Sequence, residues 1–170
     1  MADKQALFDA TVAKLRETFA DGFTTSTFRD NRRVHVAAEK LLAVLGALKD
    51  MGFDLLVELG GADYLHYPEA TDRYGVWYCL ANTTTAERII VKSWANDPAP
   101  SLPSVYELWK GSDWMEREVY DMYGVEFVGH PDLRRILMPD EFAAFPLRKD
   151  YPLRGKGERH NFSPVIRSES

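Results

Sequence analysis

The chain of 170 residues contains one cysteine, Cys79. A single thiol excludes an internal disulfide, and it cannot build an iron–sulfur site, which needs about four ligands. Within an apolar stretch it is expected to be a small buried hydrophobe. No run approaches the roughly 20 apolar residues of a membrane-spanning helix. The start, MADKQALFDA, has neither an apolar signal core nor an Arg-rich, acid-poor transit character. The expectation is a soluble protein of a reducing compartment, the bacterial cytoplasm. Phosphate loops are missing too: no Lys-Ser/Thr follows Gly60-Gly61, and there is no Gly-x-Gly-x-x-Gly. Ser101, Ser104 and Ser112 lie in cap or loop contexts without a Gly-x-Ser-x-Gly elbow, which argues against a hydrolase. His35, His66, His130 and His160 are scattered, with no His-x-x-x-His and no cysteine pair to form a metal site.

What is present is an ordinary globular composition, 45% hydrophobic and 28% charged, long enough for one domain with a real core. The net charge of −5 is unevenly spread. Residues 148–170 hold six Lys/Arg and three Asp/Glu, whereas residues 1–147 hold fifteen and twenty-three. An acidic body with a basic tail argues against a nucleic-acid-binding surface over the whole chain, and suits a tail that seeks an acidic partner.

Residues 3–20 read as an amphipathic helix with Phe8, Val12, Leu15 and Phe19 in one stripe. Residues 23–36 read as a weak hairpin turning at Asp30-Asn31. Residues 37–50 form a second helix with Leu41, Leu42, Leu45 and Leu48 on its buried side, ended by Gly52. In the next strand Phe53, Leu55, Val57 and Leu59 alternate with Asp54 and Glu58, predicting a buried odd-numbered face. Strands at 74–80 and 88–94 follow, joined by a link at 82–86 short enough for an antiparallel pair. Ser104-Val105-Tyr106-Glu107 has the capping-box pattern of a short helix closed by Gly111. Trp77, Trp94, Trp109 and Trp114 are expected in the core rather than as cofactor stackers. The fold class is α+β: a mixed or antiparallel sheet packed against helices, followed by an extended Pro-rich C-terminal tail. The division falls after Gly124, with a body at 1–124 and a tail at 125–170.

The stretch Glu116–Tyr151 is the most distinctive. It opens on a helix that Asp113 can cap, with Glu116 three residues on, and that Gly124 can end. Beyond it, Pro131, Pro139, Pro146 and Pro152 alternate with Arg134-Arg135 and Arg148-Lys149. Proline has no N–H and a fixed φ, so this part is expected to be extended. Glu116, Glu118, Asp121, His130 and Asp132 could be drawn as a metal site, but Glu116 and Glu118 point about 160° apart on a helix. The plain alternative is a solvated acidic face with an Arg117–Asp121 pair. The tail's Ile136, Leu137, Met138, Phe142, Phe145, Leu147, Tyr151 and Leu153 are too apolar to leave in water. They either fold back on the body or lie on another protein; extended segments wrap partners well, and the partner is the expected surface.

Glu116-Arg117-Glu118, then Asp121-Met122-Tyr123, then His130-Pro131-Asp132-Leu133-Arg134-Arg135-Ile136-Leu137 resembles the signature of the thirty-kilodalton subunit of respiratory complex I, lettered C in bacteria. Pro146-Leu147-Arg148-Lys149-Asp150-Tyr151-Pro152-Leu153 resembles its second block. Ala144-Phe145 stand where family members often carry Gly-His, which removes any role for a histidine at 145. The resemblance implies a non-catalytic, cofactor-free subunit of the peripheral arm of a proton-pumping NADH:quinone oxidoreductase, on the cytoplasmic side of the bacterial inner membrane. NADH, FMN, iron–sulfur clusters and quinone would belong to neighbouring subunits. The partners implied are the quinone-site subunit, lettered D, with subunits I and B. Glu116, Arg117, Glu118, Asp121, His130, Asp132, Arg134, Arg135, Arg148, Lys149 and Tyr151 would meet them. Homologous subunits of membrane-bound hydrogenases and of ferredoxin- or cofactor-F420-linked dehydrogenases are the nearest alternative. A stand-alone metal enzyme and a tail-driven adaptor are the others.

Overall fold

A computed structural model of the chain describes residues 4–157; the remainder of the tail, with His160, lies outside the described residues. Helix α1 spans Lys4–Phe19 and buries Phe8, Thr11, Val12 and Leu15, the expected stripe. Strands β1 (Phe23–Phe28) and β2 (Asn31–Val36) form the hairpin. Its register runs from Phe23↔Val36 to Phe28↔Asn31, so the turn is Arg29-Asp30, with Arg29 at φ 53. Helix α2 (Ala38–Asp50) buries Leu41, Val44, Leu45 and Leu48. Leu42, expected inside, is 43% exposed, because Val44 completes the 3.6-residue stripe instead.

Strands β3 (Leu55–Asp63), β4 (Tyr74–Ala81) and β5 (Arg88–Ala95) complete a five-stranded sheet of order β1-β2-β5-β4-β3. The pairs β1–β2, β4–β5 and β3–β4 are antiparallel, and β2–β5 is parallel, so the sheet is mixed. In β3 the predicted alternation fails. Leu55 and Val57 are 47% and 44% exposed, whereas Leu56 and Leu59 are buried. A register shift between Leu56 and Glu58 inserts one residue, and one residue reverses which side chains face inward.

The inner face of the sheet carries Val34, Tyr74, Val76, Tyr78, Leu80, Ile89 and Val91, all nearly inaccessible, under α2 and a third helix, α3 (Ser112–Tyr123). Between them, residues 104–111 make turns rather than the predicted short helix. The Ser104 hydroxyl is drawn away to Glu116, so the capping box does not form. Of the four tryptophans, only Trp109 is buried; Trp77 and Trp94 are half-buried on the outer face and Trp114 is 63% exposed.

The division after Gly124 does not hold. Strand β7 (Glu126–Val128) pairs in parallel with β6 (Ser101–Pro103), and Val125 and Phe127 are in the main core at 0% and 2% exposure. Further on, Phe142 is also buried. Each such side chain stabilises the fold by about 1.5–3 kcal/mol, so the tail as far as these residues belongs to the body's own packing.

Candidate functional site

Helix α3 begins after Gly111, which makes no side-chain cap, and ends at Gly124, in the left-handed region at φ 74 with its N–H on the Tyr120 carbonyl. The stop was legible; the start was not, because Asp113 sits inside the first turn. There its carboxylate lies 3.5 Å from His130 Nε2 and 4.0 Å from Arg117. A Cβ at position 124 would stand 2.6 Å from both Arg148 and Phe145. Glycine therefore lets the returning chain cross the helix end in contact with it.

From Gly129 to Asp150 the chain forms a strap over α3, and the motif's charges fasten it. Glu116 and Asp121 are both 0% exposed, so neither belongs to a solvated or partner-facing acidic surface. Glu116 Oε1 accepts the Val105 N–H at 2.7 Å, and Oε2 accepts the Ser104 hydroxyl at 2.6 Å, with His130 Nε2 at 3.9 Å. Asp121 Oδ2 accepts three successive backbone N–H groups, from Ile136, Leu137 and Met138, at 3.0, 2.7 and 2.8 Å. Its Oδ1 takes Arg135 Nη1 at 2.5 Å. The anticipated Arg117–Asp121 pair does not form. Arg117, also buried, donates to the carbonyls of Arg134 and Arg135 at 3.2 and 3.3 Å.

The pKa directions follow from this geometry. Burial raises Asp121, but three amides and Arg135 outweigh it and hold the carboxyl below its ordinary 3.8. For Glu116 burial wins over its hydrogen bonds and the group rises above 4.5. The His130 side chain is enclosed; its Nδ1 accepts the Asp132 N–H at 3.0 Å and its Nε2 lies 3.3 Å from the Asp113 carbonyl. Arg135 also donates to the Ala144 carbonyl, and Arg148 Nε to the Tyr123 carbonyl at 2.6 Å. Tyr151 is half-buried, its ring 5.9 Å from Phe142. Of the predicted contact residues, Glu118, Asp132, Arg134 and Lys149 remain exposed, and Asp132 and Arg134 pair with each other at 2.9 Å.

Local sequence reading missed Asp63 and Arg73. The Asp63 carboxylate at the end of β3 accepts the Lys149 N–H at 2.8 Å and Arg73 at 3.1 Å. Arg73 also reaches Asp97 at 2.5 Å and Asp150 at 2.8 Å. Burial raises Asp63, yet Arg73 and the two backbone N–H donors bring it below 3.8. This hub ties the far end of the strap to the sheet across 86 residues of sequence, a span that periodicity does not report. Among the described residues no group of three or more His, Cys, Asp or Glu is placed to hold a metal ion. No helix among them is long and apolar enough to cross a membrane.

Residues 34–157 match the family model for the 30 kDa subunit of respiratory-chain NADH dehydrogenase. The NADH-quinone oxidoreductase subunit lettered C of Citrifermentans bemidjiense is 40% identical over 85% of this chain and 89% of its own length. The protein of the same name from Sinorhizobium medicae is 48% identical over 69% of this chain, and the match spans 58% of that longer protein. Among solved structures, the trypsin-resistant fragment (1-134) of Nqo5 superposes with a TM-score of 0.65 at 31% identity, over 76% of this chain and 98% of the fragment. A chain of the archaeal membrane-bound sulfane sulfur reductase shares the fold, with a TM-score of 0.74 at 22% identity over 96% of each chain.

Proposed function

Because the chain belongs to the 30 kDa subunit family of respiratory-chain NADH dehydrogenase, we propose that it is the non-catalytic, cofactor-free scaffold of the peripheral arm of a proton-translocating NADH:quinone oxidoreductase. It holds the quinone-site subunit in place, next to subunits I and B, on the cytoplasmic side of the bacterial inner membrane. The observation that carries this reading is the two-sidedness of the strap. Its carboxylate and guanidinium contacts point inward, to Asp121, Asp63 and the end of α3. Outward it presents Leu137 at 60% and Leu147 at 48% exposure, with exposed Val128 just before it and exposed Leu153 just after.

The buried charges of the motif are engaged by backbone groups and by each other, which supports a structural role. An apolar row held in place before docking loses little freedom when it is covered, so more of its burial is realised as affinity. The strap thus acts as a preformed docking rail.

Leu137→Asp combined with Leu147→Asp tests this. Membranes carrying the variant should contain less assembled complex, with near-normal quinone reductase activity per complex and an unchanged melt of the isolated chain. Full assembly would remove the docking role, and full assembly without activity would place the strap in the chemistry. Purified native chain should carry neither iron nor flavin; stoichiometric amounts of either would end the cofactor-free reading.

A further inference from the structure

The sheet's two faces are covered differently. Helices α2 and α3 pack on the inner face, and no described helix packs on the outer one. The outer face presents Phe28, Arg33, Ile90, Lys92, Trp77 and Val57, with Phe28 56% and Val57 44% exposed. It dips into a groove of about 890 Å³ lined by Leu55, Cys79 and Arg88 among others. Elsewhere on this face aromatic rings cover glycines: a Cβ on Gly60 would stand 2.6 Å from the Trp77 indole, and one on Gly75 2.8 Å from Trp94 and 2.9 Å from Tyr64.

The cations of this face form no ion pair, although Glu69 and Asp72 of the β3–β4 connection border Arg33 and Lys92, and Asp30, Glu58 and Glu87 line the groove beside Arg88. Among the described residues, Arg33, Arg88 and Lys92 have no carboxylate within 4.0 Å. Arg33 rests over the Phe28 ring at 5.3 Å. The Lys92 ammonium stands 4.0 Å from the Trp94 ring and 4.2 Å from that of Tyr64, donating to the Tyr64 hydroxyl at 2.7 Å. One of its three N–H bonds is used and two are left. Glu58 is the single carboxylate that the five strands present on this side, while the chain as a whole is at −5.

We propose that the outer face of the sheet is a second docking surface, and that its occupant is an acidic, partly apolar segment of a neighbouring protein subunit. A carboxylate of that segment binds Lys92 and Arg33, and its apolar side chains enter the groove by Val57 and Ile90. Three separated cations among aliphatic and aromatic side chains fit carboxylates and side chains at peptide spacing. An anionic bilayer surface instead attracts dense polybasic clusters. The proposal rests on the reading that the chain works inside a complex, but it concerns the face opposite α3.

Zero-length carbodiimide coupling of the assembled complex, followed by peptide mass analysis, tests it. Lys92 should be joined to an Asp or Glu of another subunit. In the complex, Lys92 should be shielded from an acetylating reagent that modifies it in the isolated chain. Arg33→Glu with Lys92→Glu should lower recovered complex by roughly tenfold, while Lys92→Arg restores it; the isolated double variant should still melt cooperatively, a few degrees lower for the lost Tyr64 and Trp94 contacts of Lys92. Equal acetylation in complex and isolated chain would overturn the proposal. So would coupling to Glu58 or to a second copy of the chain, or Lys92-dependent binding to phosphatidylserine vesicles. If the strap variant assembles normally while Lys92 is still shielded, the strap reading fails and this one stands.

Discussion

On the α3 side of the molecule every arginine of the motif region binds a carboxylate or carbonyl oxygen; on the outer face of the sheet Arg33 and Lys92 rest on rings, with the Tyr64 hydroxyl as the one oxygen that Lys92 reaches. Arg73, Arg117, Arg135 and Arg148 all end on carboxylates or carbonyls of their own chain. Arg33 and Lys92 end on Phe28, Tyr64 and Trp94. The difference comes from backbone chemistry. A strap broken by Pro131, Pro139 and Pro146 cannot form a ladder, so its N–H and carbonyl groups need side-chain partners. A guanidinium fork and a carboxylate supply them with charge-assisted bonds. Dense charge in such a segment marks self-fastening, whereas sparse charge on a regular sheet, whose backbone is already satisfied, is free for other molecules.

Substitutions should separate the two regions sharply. Asp121→Asn should have the largest effect. It leaves Arg135 without its counter-charge, at a cost of about 3–5 kcal/mol for a broken buried pair. The isolated chain's melting temperature should fall by roughly 10 °C or more, and the amides of Ile136, Leu137 and Met138 should lose protection from hydrogen exchange. Arg73→Met should come next, at about 2 kcal/mol, the scale of charged hydrogen bonds. The Asp63 contact dominates, because Asp97 and Asp150 are 41% and 51% exposed and solvent screens them. Its signature is faster exchange at Lys149 with Ile136–Met138 unaffected.

Glu116→Gln should be milder, within about 1 kcal/mol at neutral pH, and its effect is on pH dependence. The native Glu116 carboxyl is raised above 4.5, so it favours folding when protonated, and that contribution is lost as pH rises through its native value. Asp121 and Asp63 are depressed below 3.8; their contribution is present above that value and lost as pH falls through their native values. Urea midpoints from about pH 3 to pH 8 should show both slopes in the native chain, and in the Glu116→Gln chain a weaker loss on the rising-pH side, the remainder belonging to Glu87, which burial also raises above 4.5. The smallest effect belongs to Arg33→Glu, whose guanidinium rests on the Phe28 ring and whose loss should cost the isolated chain about 0.5 kcal/mol. A loss as large as that of Asp121→Asn would show that the outer face, too, is held by its charges.

Periodicity made most elements legible: the α1 stripe, the hairpin, α2, the three long strands and the Gly124 stop all follow from local pattern. It failed where one residue or one distant partner decides. The insertion in β3 exchanged Leu55 and Val57 for Leu56, and nothing in an alternating apolar run announces it. Glu116 and Asp121 read as a polar helix face because carboxylates ordinarily seek water. Their burial depends on Ser104, Val105 and residues 136–138, which the helix wheel does not include. Prolines made the strap's lack of regular structure legible, but not the surface it lies on. The spacing of His130, Arg135 and Arg148 carried the family resemblance, while Glu116 and Asp121, expected at a partner surface, are turned into the chain's own interior. Asp63 and Arg73 had no such signal.

The two anchors of the strap differ in the chain length they close. Asp121 meets Leu137 across 16 residues, and Asp63 meets Lys149 across 86. By loop-closure entropy alone the longer contour costs about 1.5 kcal/mol more to close. The near anchor needs only the end of one helix and can engage early. The far anchor needs Asp63 from β3, Arg73 from the approach to β4 and Asp97 from beyond β5 in register together, so it closes only on a finished sheet. A chain whose sheet is unfinished would therefore carry a strap loose at its far end. The latch at Arg73 makes the position of the strap a report that the body behind it has folded.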